Sequence, residues 1–195
     1  MTICNKFENS YFIDKLKNKI DQDVILFGAD GMSYYGKLVE IDTDNIATLN
    51  PAALSSTDLV EIQNPAEVAA VENSASIDLC YIVGFGYKIE ADPFVLPDED
   101  EEDVPAQDAS SPSLVDTCES ECNHDALIGK LKALEPLVTI ATLGGFLIAG
   151  ELESIKQNTV KLRTEYIFAP GGDGSTLFSI NRVLINLEAA TAVAS

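Results

Sequence analysis

The chain contains one pattern twice, and this repeat limits the folds that it can adopt. Residues 12–17 recur as 127–132, and the positions after each copy recur at an offset of 114 residues. The matched pairs are Val24 and Val138, Leu26 and Ile140, Gly31 and Gly145, Gly36 and Gly150, Leu38 and Leu152, Ile41 and Ile155, and Ile46 and Val160. Alternating apolar residues and turn glycines are typical of a strand-turn-strand unit. The repeat therefore predicts two small domains of one architecture.

Charge is distributed unevenly along the 195 residues, whose formal net charge is −20. Residues 1–92 carry 15 acidic and 6 basic residues, residues 93–125 carry 11 acidic residues and no base, and residues 126–195 carry 6 of each. Nucleic-acid binding draws much of its affinity from lysine and arginine at phosphates. The net negative charge thus disfavours a nucleic-acid partner. This objection is weakest for the second copy, which is neutral.

The composition between the two copies is typical of a disordered tether. Pro, Asp, Glu, Ser and Ala predominate there, with an unbroken acidic run at 98–103. Such a segment buries too little apolar surface to fold. We expect a first domain at 1–92, an acidic disordered linker at 93–122 and a second domain at 123–195.

The first ten residues contain no apolar run of the kind that secretory signals have. The longest apolar stretch, 137–150, is too short to span a bilayer. We expect a cytoplasmic protein that does not enter a membrane. Its four cysteines are then expected to be free thiols. Cys118, Cys122 and His124 form a weak candidate for a zinc site, although their spacing is not that of a recognised zinc motif.

Each copy is expected to begin with a short amphipathic helix, at 11–20 after a cap at Asn9 or Ser10, and again from Leu127. In the second copy, strands are expected at 138–142, 146–152, 160–168, 177–180 and 183–187. In the first copy they are expected at 24–27, 33–41, 46–49, 59–62 and 77–89, with a helical turn or two at 65–71. A helix followed by five short bent strands predicts a small closed barrel.

The strand at 77–89 is apolar on both faces, which predicts burial on both sides against its own domain or against another chain. Gly84-Phe85-Gly86 within it lacks the third glycine of a nucleotide loop and indicates a tightly packed strand. We expect the strands at 77–89 and 183–187 to be two apolar edge strands. The residues expected at an interface are Tyr81, Ile82, Val83, Phe85, Tyr87, Val183 and Ile185.

The segments 36–46 and 150–160 share Gly-x-Leu-x-x-Ile, a polar turn and another apolar strand. This pattern resembles the first signature of the Sm-like superfamily, of bacterial type, and some bacterial spore-coat-associated proteins have a similar pattern. The resemblance implies a mainly β protein of two tandem Sm-like, SH3-like small barrels, each preceded by a short N-terminal helix. Members of this family typically form rings by pairing edge strands between subunits.

Sm-like proteins bind uridine-rich RNA with an Asp and an Asn in the first motif and an Arg-Gly pair in the second. By resemblance, Asp42 and Asn45 take the first-motif place in copy one, where the second-motif place, 62–65, has no arginine. In copy two, Asn181 and Arg182 take the second-motif place, and Lys156 and Thr159 replace the first-motif pair. Neither copy has a complete nucleotide pocket. As turn residues, Asp42 and Asn45 also suit hydrogen bonds to their own backbone.

The sequence offers no pair of residues suited to acid-base or nucleophilic catalysis, so neither an enzyme nor a cofactor is expected. The leading hypothesis is a non-enzymatic assembly protein that associates with itself or with a protein partner. One alternative is an Sm-like RNA-binding module that uses Arg182, Lys161 and Arg163. Another is a spore-coat or surface-layer component cross-linked through its cysteines.

Overall fold

The protein is mainly β. The structure, a computed structural model, describes residues 9–64, 67–91, 93, 124–133, 136–170 and 180–194. The first half contains α1 (Ser10–Lys17), β1 (Asp23–Gly28), β2 (Ser33–Ile41), β3 (Ile46–Asn50), β4 (Val60–Asn64), β5 (Glu67–Glu72), β6 (Ala75–Asp78), a 3-10 helix (Leu79–Tyr81) and β7 (Ile82–Ile89). The second half contains α2 (His124–Ala133), β8 (Leu137–Thr142), β9 (Leu147–Lys156), β10 (Thr159–Phe168), β11 (Ile180–Asn186), a 3-10 helix (Leu187–Ala189) and β12 (Ala190–Ala194).

All twelve strands belong to one antiparallel sheet with the order β12-β8-β9-β10-β11-β7-β1-β2-β3-β6. The hairpin β4–β5 lies off this path and is attached by β4 to β2. Each half contributes five consecutive strands in the same order: β7-β1-β2-β3-β6 from the first half and β12-β8-β9-β10-β11 from the second. The repeat in the sequence is therefore a repeat in strand pairing, joined where β11 pairs with β7.

Hydrogen bonds at the turns are also repeated. The N–H of Leu79 donates to the carbonyl of Asn45 (3.0 Å), and the N–H of Leu187 donates to that of Asn158 (2.7 Å). Both asparagines have positive φ, 61° and 57°, which Asn tolerates better than most residues. The carbonyl of a turn asparagine thus holds each 3-10 helix.

Buried side chains form two clusters, and the central strands contribute to both. On β1, Val24 and Leu26 enter the first cluster, whereas Ile25 and Phe27 enter the second. Successive residues of a strand point to opposite faces, so an uninterrupted apolar strand can supply two cores. This explains the two-sided apolar character of β1, β7 and β11.

Helix α1 covers the first cluster. Asn9 caps it by accepting a hydrogen bond from the N–H of Phe12 at 3.1 Å, and Phe12, Ile13 and Leu16 are buried. The helix ends at Lys17 rather than at the expected Ile20, which is exposed. One apolar turn is enough to anchor the helix, and the chain then turns into β1.

Three details of the expected secondary structure were wrong. Residues 67–72 form β5 rather than a helical turn, because they pair with β4. The expected strand 77–89 is interrupted by a 3-10 helix, which is capped by Asp78 through a hydrogen bond from the N–H of Cys80. Asn181 and Arg182 lie within β11 and do not separate two strands. The expected strand at 177–180 falls mostly, and the acidic linker almost entirely, outside the described residues.

The segment Gly84-Phe85-Gly86 is a tightly packed part of β7, as expected. A Cβ atom added to Gly86 would lie 2.7 Å from side-chain carbons of both Ile180 and Ile25. The absence of a side chain here leaves room for the side chains of Ile25 on β1 and Ile180 on β11 to pack over β7.

Phe85 is fully buried in the first core and contacts Phe12 with a ring-centroid distance of 5.2 Å. We expect Phe85→Ala to lower the free energy of unfolding by about 3–5 kcal/mol, because it removes a large buried ring and leaves a cavity. Urea denaturation followed by circular dichroism measures this loss. Tyr81→Ala is the control: Tyr81 is 47% exposed, and its replacement should cost no more than about 0.5 kcal/mol. Equal losses would contradict this placement of β7.

Candidate functional site

The junction between the halves is a strand pair. In β11, Val183, Leu184 and Ile185 are the register partners of Gly86, Phe85 and Gly84 in β7. The two apolar strands that the sequence offers as edges are thus partners within one chain. Six of the seven expected interface residues, all except Tyr81, are buried there; they are Ile82, Val83, Phe85, Tyr87, Val183 and Ile185. Their participation in contacts with another chain stays a prediction.

The ends of the sheet are β6 and β12. Within the described part of the chain, β6 pairs only with β3 and β12 pairs only with β8. β12 has the sequence Ala-Thr-Ala-Val-Ala, which contains no charge and no proline. β5, at the side of the sheet, instead carries glutamate at both ends. Charges and prolines are among the usual means of blocking an edge strand, and β12 has neither.

Sequence reasoning missed β12. Its alanine-rich sequence has little β propensity, but the repeat contained a usable indication. Asp78-Leu79 and Asn186-Leu187 each begin a 3-10 helix that leads into a strand, β7 in one half and β12 in the other. The repeated polar cap followed by leucine is thus the sequence signal that could have predicted a strand at β12.

The turn residues named for RNA binding have structural roles. The carboxylate of Asp42 accepts hydrogen bonds from the N–H groups of Asp44 and Ile46, both at 2.8 Å, and the carbonyl of Asn45 binds Leu79. This turn lies against the 3-10 helix Leu79–Tyr81, and not against residues 62–64, which belong to β4. A contact of Asp42 and Asn45 with RNA stays a prediction.

The basic residues named for RNA binding are paired with glutamates. Lys161 and Arg182 both contact Glu153, at 2.6 and 2.7 Å, and Arg163 contacts Glu151 at 3.2 Å.

Arg182 lies opposite Tyr87, while Asn181 donates to the carboxylate of Glu90. Arg182 therefore lies within the strand pair β7–β11 and not in a turn between two strands.

Glu153 is the centre of this charge cluster. Burial raises its pKa, but the hydrogen bond from Lys161 and the charges of Lys161, Arg182 and Arg163 outweigh that effect and hold the pKa below its usual value. The hydrogen bond to Glu153 in turn raises the pKa of Lys161 against the opposing effect of burial. Both directions favour an ionised pair at neutral pH.

Asn9 links the halves through polar contacts. Its side-chain Nδ2 lies 3.1 Å from the carbonyl of Gln157, 3.1 Å from Oγ1 of Thr159 and 3.2 Å from Oδ1 of Asn186. Asn9 and Asn186 are both buried. Since its Oδ1 caps α1, one amide fixes the start of the first helix against the β9–β10 turn of the second half. The sequence indicated only the cap, because these partners are 148–177 residues away.

Neither metal ligation nor disulfide formation has support in the described residues. Cys118 and Cys122 lie outside them, and His124 is the first residue of α2. No group of three or more His, Cys, Asp or Glu residues suited to a metal is found within the part of the chain that the structure describes. Cys80 is buried in the 3-10 helix before β7. In the same described residues, no helix combines the length and apolar character needed to cross a membrane.

Comparisons with known proteins give distant structural similarity and no family. No protein-family model matches the chain, and no curated protein matches it. Among solved structures, an Sm protein of Pyrococcus abyssi in complex with a uridine heptamer has a TM-score of 0.31 and 18% sequence identity. That alignment covers 37% of this chain and 92% of the Sm protein.

We expect Asn9→Ala to lower the free energy of unfolding by about 2–4 kcal/mol, because it removes a helix cap and leaves buried acceptors without their donor. Thermal and urea unfolding measure the change. Asn18→Ala is the matched control on the same helix, because the Asn18 amide makes only an exposed hydrogen bond to Asp14. If both variants lost the same small amount of stability, the junction would not depend on Asn9.

Proposed function

We propose that the protein is a non-enzymatic assembly protein whose copies associate head to tail, with β6 of one copy pairing with β12 of the next. The observation that carries this proposal is the strand pair β7–β11. It joins two halves of identical pairing order. In each half, one of the two end strands, β7 or β11, is paired at the junction. The other end strand, β6 or β12, lies at the edge of the sheet.

The repeat defines what the next contact would be. β11 and β6 are equivalent strands of the two halves, and so are β7 and β12. The pairing of β11 with β7 therefore predicts a pairing of β6 with β12. A single chain cannot make the second pairing while both strands lie at opposite ends of one sheet, so a second copy is the natural partner.

The composition of the two edges supports the same proposal. β12 has no charged residue, and β6 has one, Asp78, whose carboxylate is engaged by the N–H of Cys80. Unpaired N–H and C=O groups on such edges can pair with another strand. Because the two edges differ, the contact is heterologous and continues from copy to copy, either closing into a ring or extending as a filament.

The resemblance to Sm-like proteins of bacterial type fits this assembly. We infer that each half is a small barrel of that kind and that the junction within the chain corresponds to the pairing of edge strands between subunits in family members. One chain would then supply two positions of a ring. The partner proposed for these edges is another copy of the same chain, which gives a homo-oligomer, rather than RNA or a separate protein.

Light scattering coupled to size exclusion tests the proposal on the full chain. We expect a mass that is a multiple of the 20.9-kDa chain. Ala192→Lys, at an exposed position of β12, should reduce the mass to that of a single chain, because a charge now opposes strand pairing. Ser76→Lys, at an exposed position of β6, should do the same. Val39→Lys is the matched control, since Val39 is exposed on an inner strand.

Mixing the two edge variants tests which strands meet. A chain with Ala192→Lys retains an intact β6, and a chain with Ser76→Lys retains an intact β12. Together they can form one contact and no more, so the mixture should contain a species of twice the chain mass that neither variant forms alone. A wild-type protein that stays at one chain mass at every concentration would overturn the proposal. A mixture without the two-chain species would contradict the pairing of β6 with β12.

A further inference from the structure

A basic cleft lies beside the junction in this strongly acidic protein. Four lysines line it in two pairs, Lys15 and Lys19 from α1 and the turn after it, and Lys156 and Lys161 from β9 and β10. They are four of the twelve lysine and arginine residues in the whole chain. No carboxylate lines this cleft among the described residues. The cleft thus collects positive charge that the overall composition does not predict.

The two pairs of lysines differ in how they are held. Lys161 is paired with Glu153, whereas Lys15, Lys19 and Lys156 form no ion pair with any carboxylate that the structure describes. Lys19 Nζ lies 3.9 Å from the ring centroid of Tyr87, and Lys15 Nζ lies 4.9 Å from that of Tyr11. The aromatic faces hold these ammonium groups in place but supply no negative charge.

Crowding of like charges adds to this arrangement. Burial lowers the pKa of Lys19, and the positive charges of Lys88, Lys161 and Lys15 lower it further. An anion in the cleft would oppose all of the charge effects and stabilise the protonated amine.

The sheet-side pair of lysines, Lys156 and Lys161, is specific to the second half. In the first copy, the positions that match Lys156 and Lys161 are Asp42 and Ala47. The shared fold therefore does not require lysine at either position. By the same correspondence, the contact proposed between β6 and β12 of two copies would lack this basic cleft.

The size and donors of the cleft indicate the class of ligand. Its volume is about 370 Å³, at the lower end of the range of roughly 300–1,000 Å³ for small-molecule sites. The hydroxyl of Ser154 and the amide of Asn18 supply neutral hydrogen-bonding groups beside the lysines. Phosphate oxygens accept several such bonds at once, and lysine is a common point charge for phosphates.

We propose that this cleft binds a small molecule that carries a diphosphate group. Lys19 and Lys15 would contact it from the helix side, and Lys156 and Lys161 from the sheet side. Two phosphates match two pairs of ammonium groups better than one phosphate does. This proposal goes beyond self-association and does not depend on it, because every residue of the cleft belongs to one chain.

Isothermal titration calorimetry of the full chain with inorganic pyrophosphate at low salt tests the site. We expect one pyrophosphate per chain, bound more tightly than orthophosphate. Lys19→Met and Lys156→Met should each weaken binding about tenfold, because each removes one charged hydrogen-bond donor. Lys132→Met removes an equal charge from an exposed position on α2 that does not line the cleft, and it should change the affinity less than about twofold. Thermal unfolding of each variant checks that the fold is retained.

Further ligands separate the possible sources of the phosphate. A nucleoside diphosphate that binds at least as tightly as pyrophosphate supports a site for an organic diphosphate. Binding of a uridine oligomer without binding of pyrophosphate would replace the proposal with an RNA surface. Equal weakening in Lys19→Met and Lys132→Met, or no heat from either diphosphate at millimolar concentration, would overturn it. Light scattering on the same samples reports assembly separately.

Discussion

The pairing of β7 with β11 is the contact on which the rest of the structure depends. It makes one continuous sheet from two repeated halves and buries the central strands on both faces. Val83 and Val183 reach the second core, whereas Phe85 and Leu184 reach the first. Loss of this pairing would expose apolar residues of both halves at once, so the stability of each half is tied to the other.

Duplication explains the frame of the protein but not its polar features. The strand order and the hydrogen bonds that hold Leu79 and Leu187 are the same in both halves. The buried amide of Asn9 and the basic cleft occur where the first helix meets the second half. A repeated backbone thus leaves β6 and β12 at the edges of the sheet, and residues that differ between the copies form a cleft that the repeat itself does not specify.

Periodicity and glycine placement predicted much of the fold, because they depend on neighbouring residues. The helix at α1, the strands around Val24 and Val138 and the mainly β class follow from local apolar patterns. The hairpin at β5 was mistaken for a helix, since Glu67-Val-Ala-Ala-Val has little alternation and owes its strand form to β4. β12 was missed for a similar reason, because its small residues form a strand only through β8.

The sequence by itself determined that there are two equivalent halves and which strands are apolar on both faces. Only the tertiary structure decided that these strands pair with each other and that β6 and β12 are left at the edges. It also decided that Lys19 and Lys161 line the same cleft. The physical reason is distance along the chain: Asn9 and Asn186 are 177 residues apart, yet their side chains are hydrogen-bonded. A local pattern fixes which face of a strand is apolar, but the closest packing of the whole chain selects what covers that face.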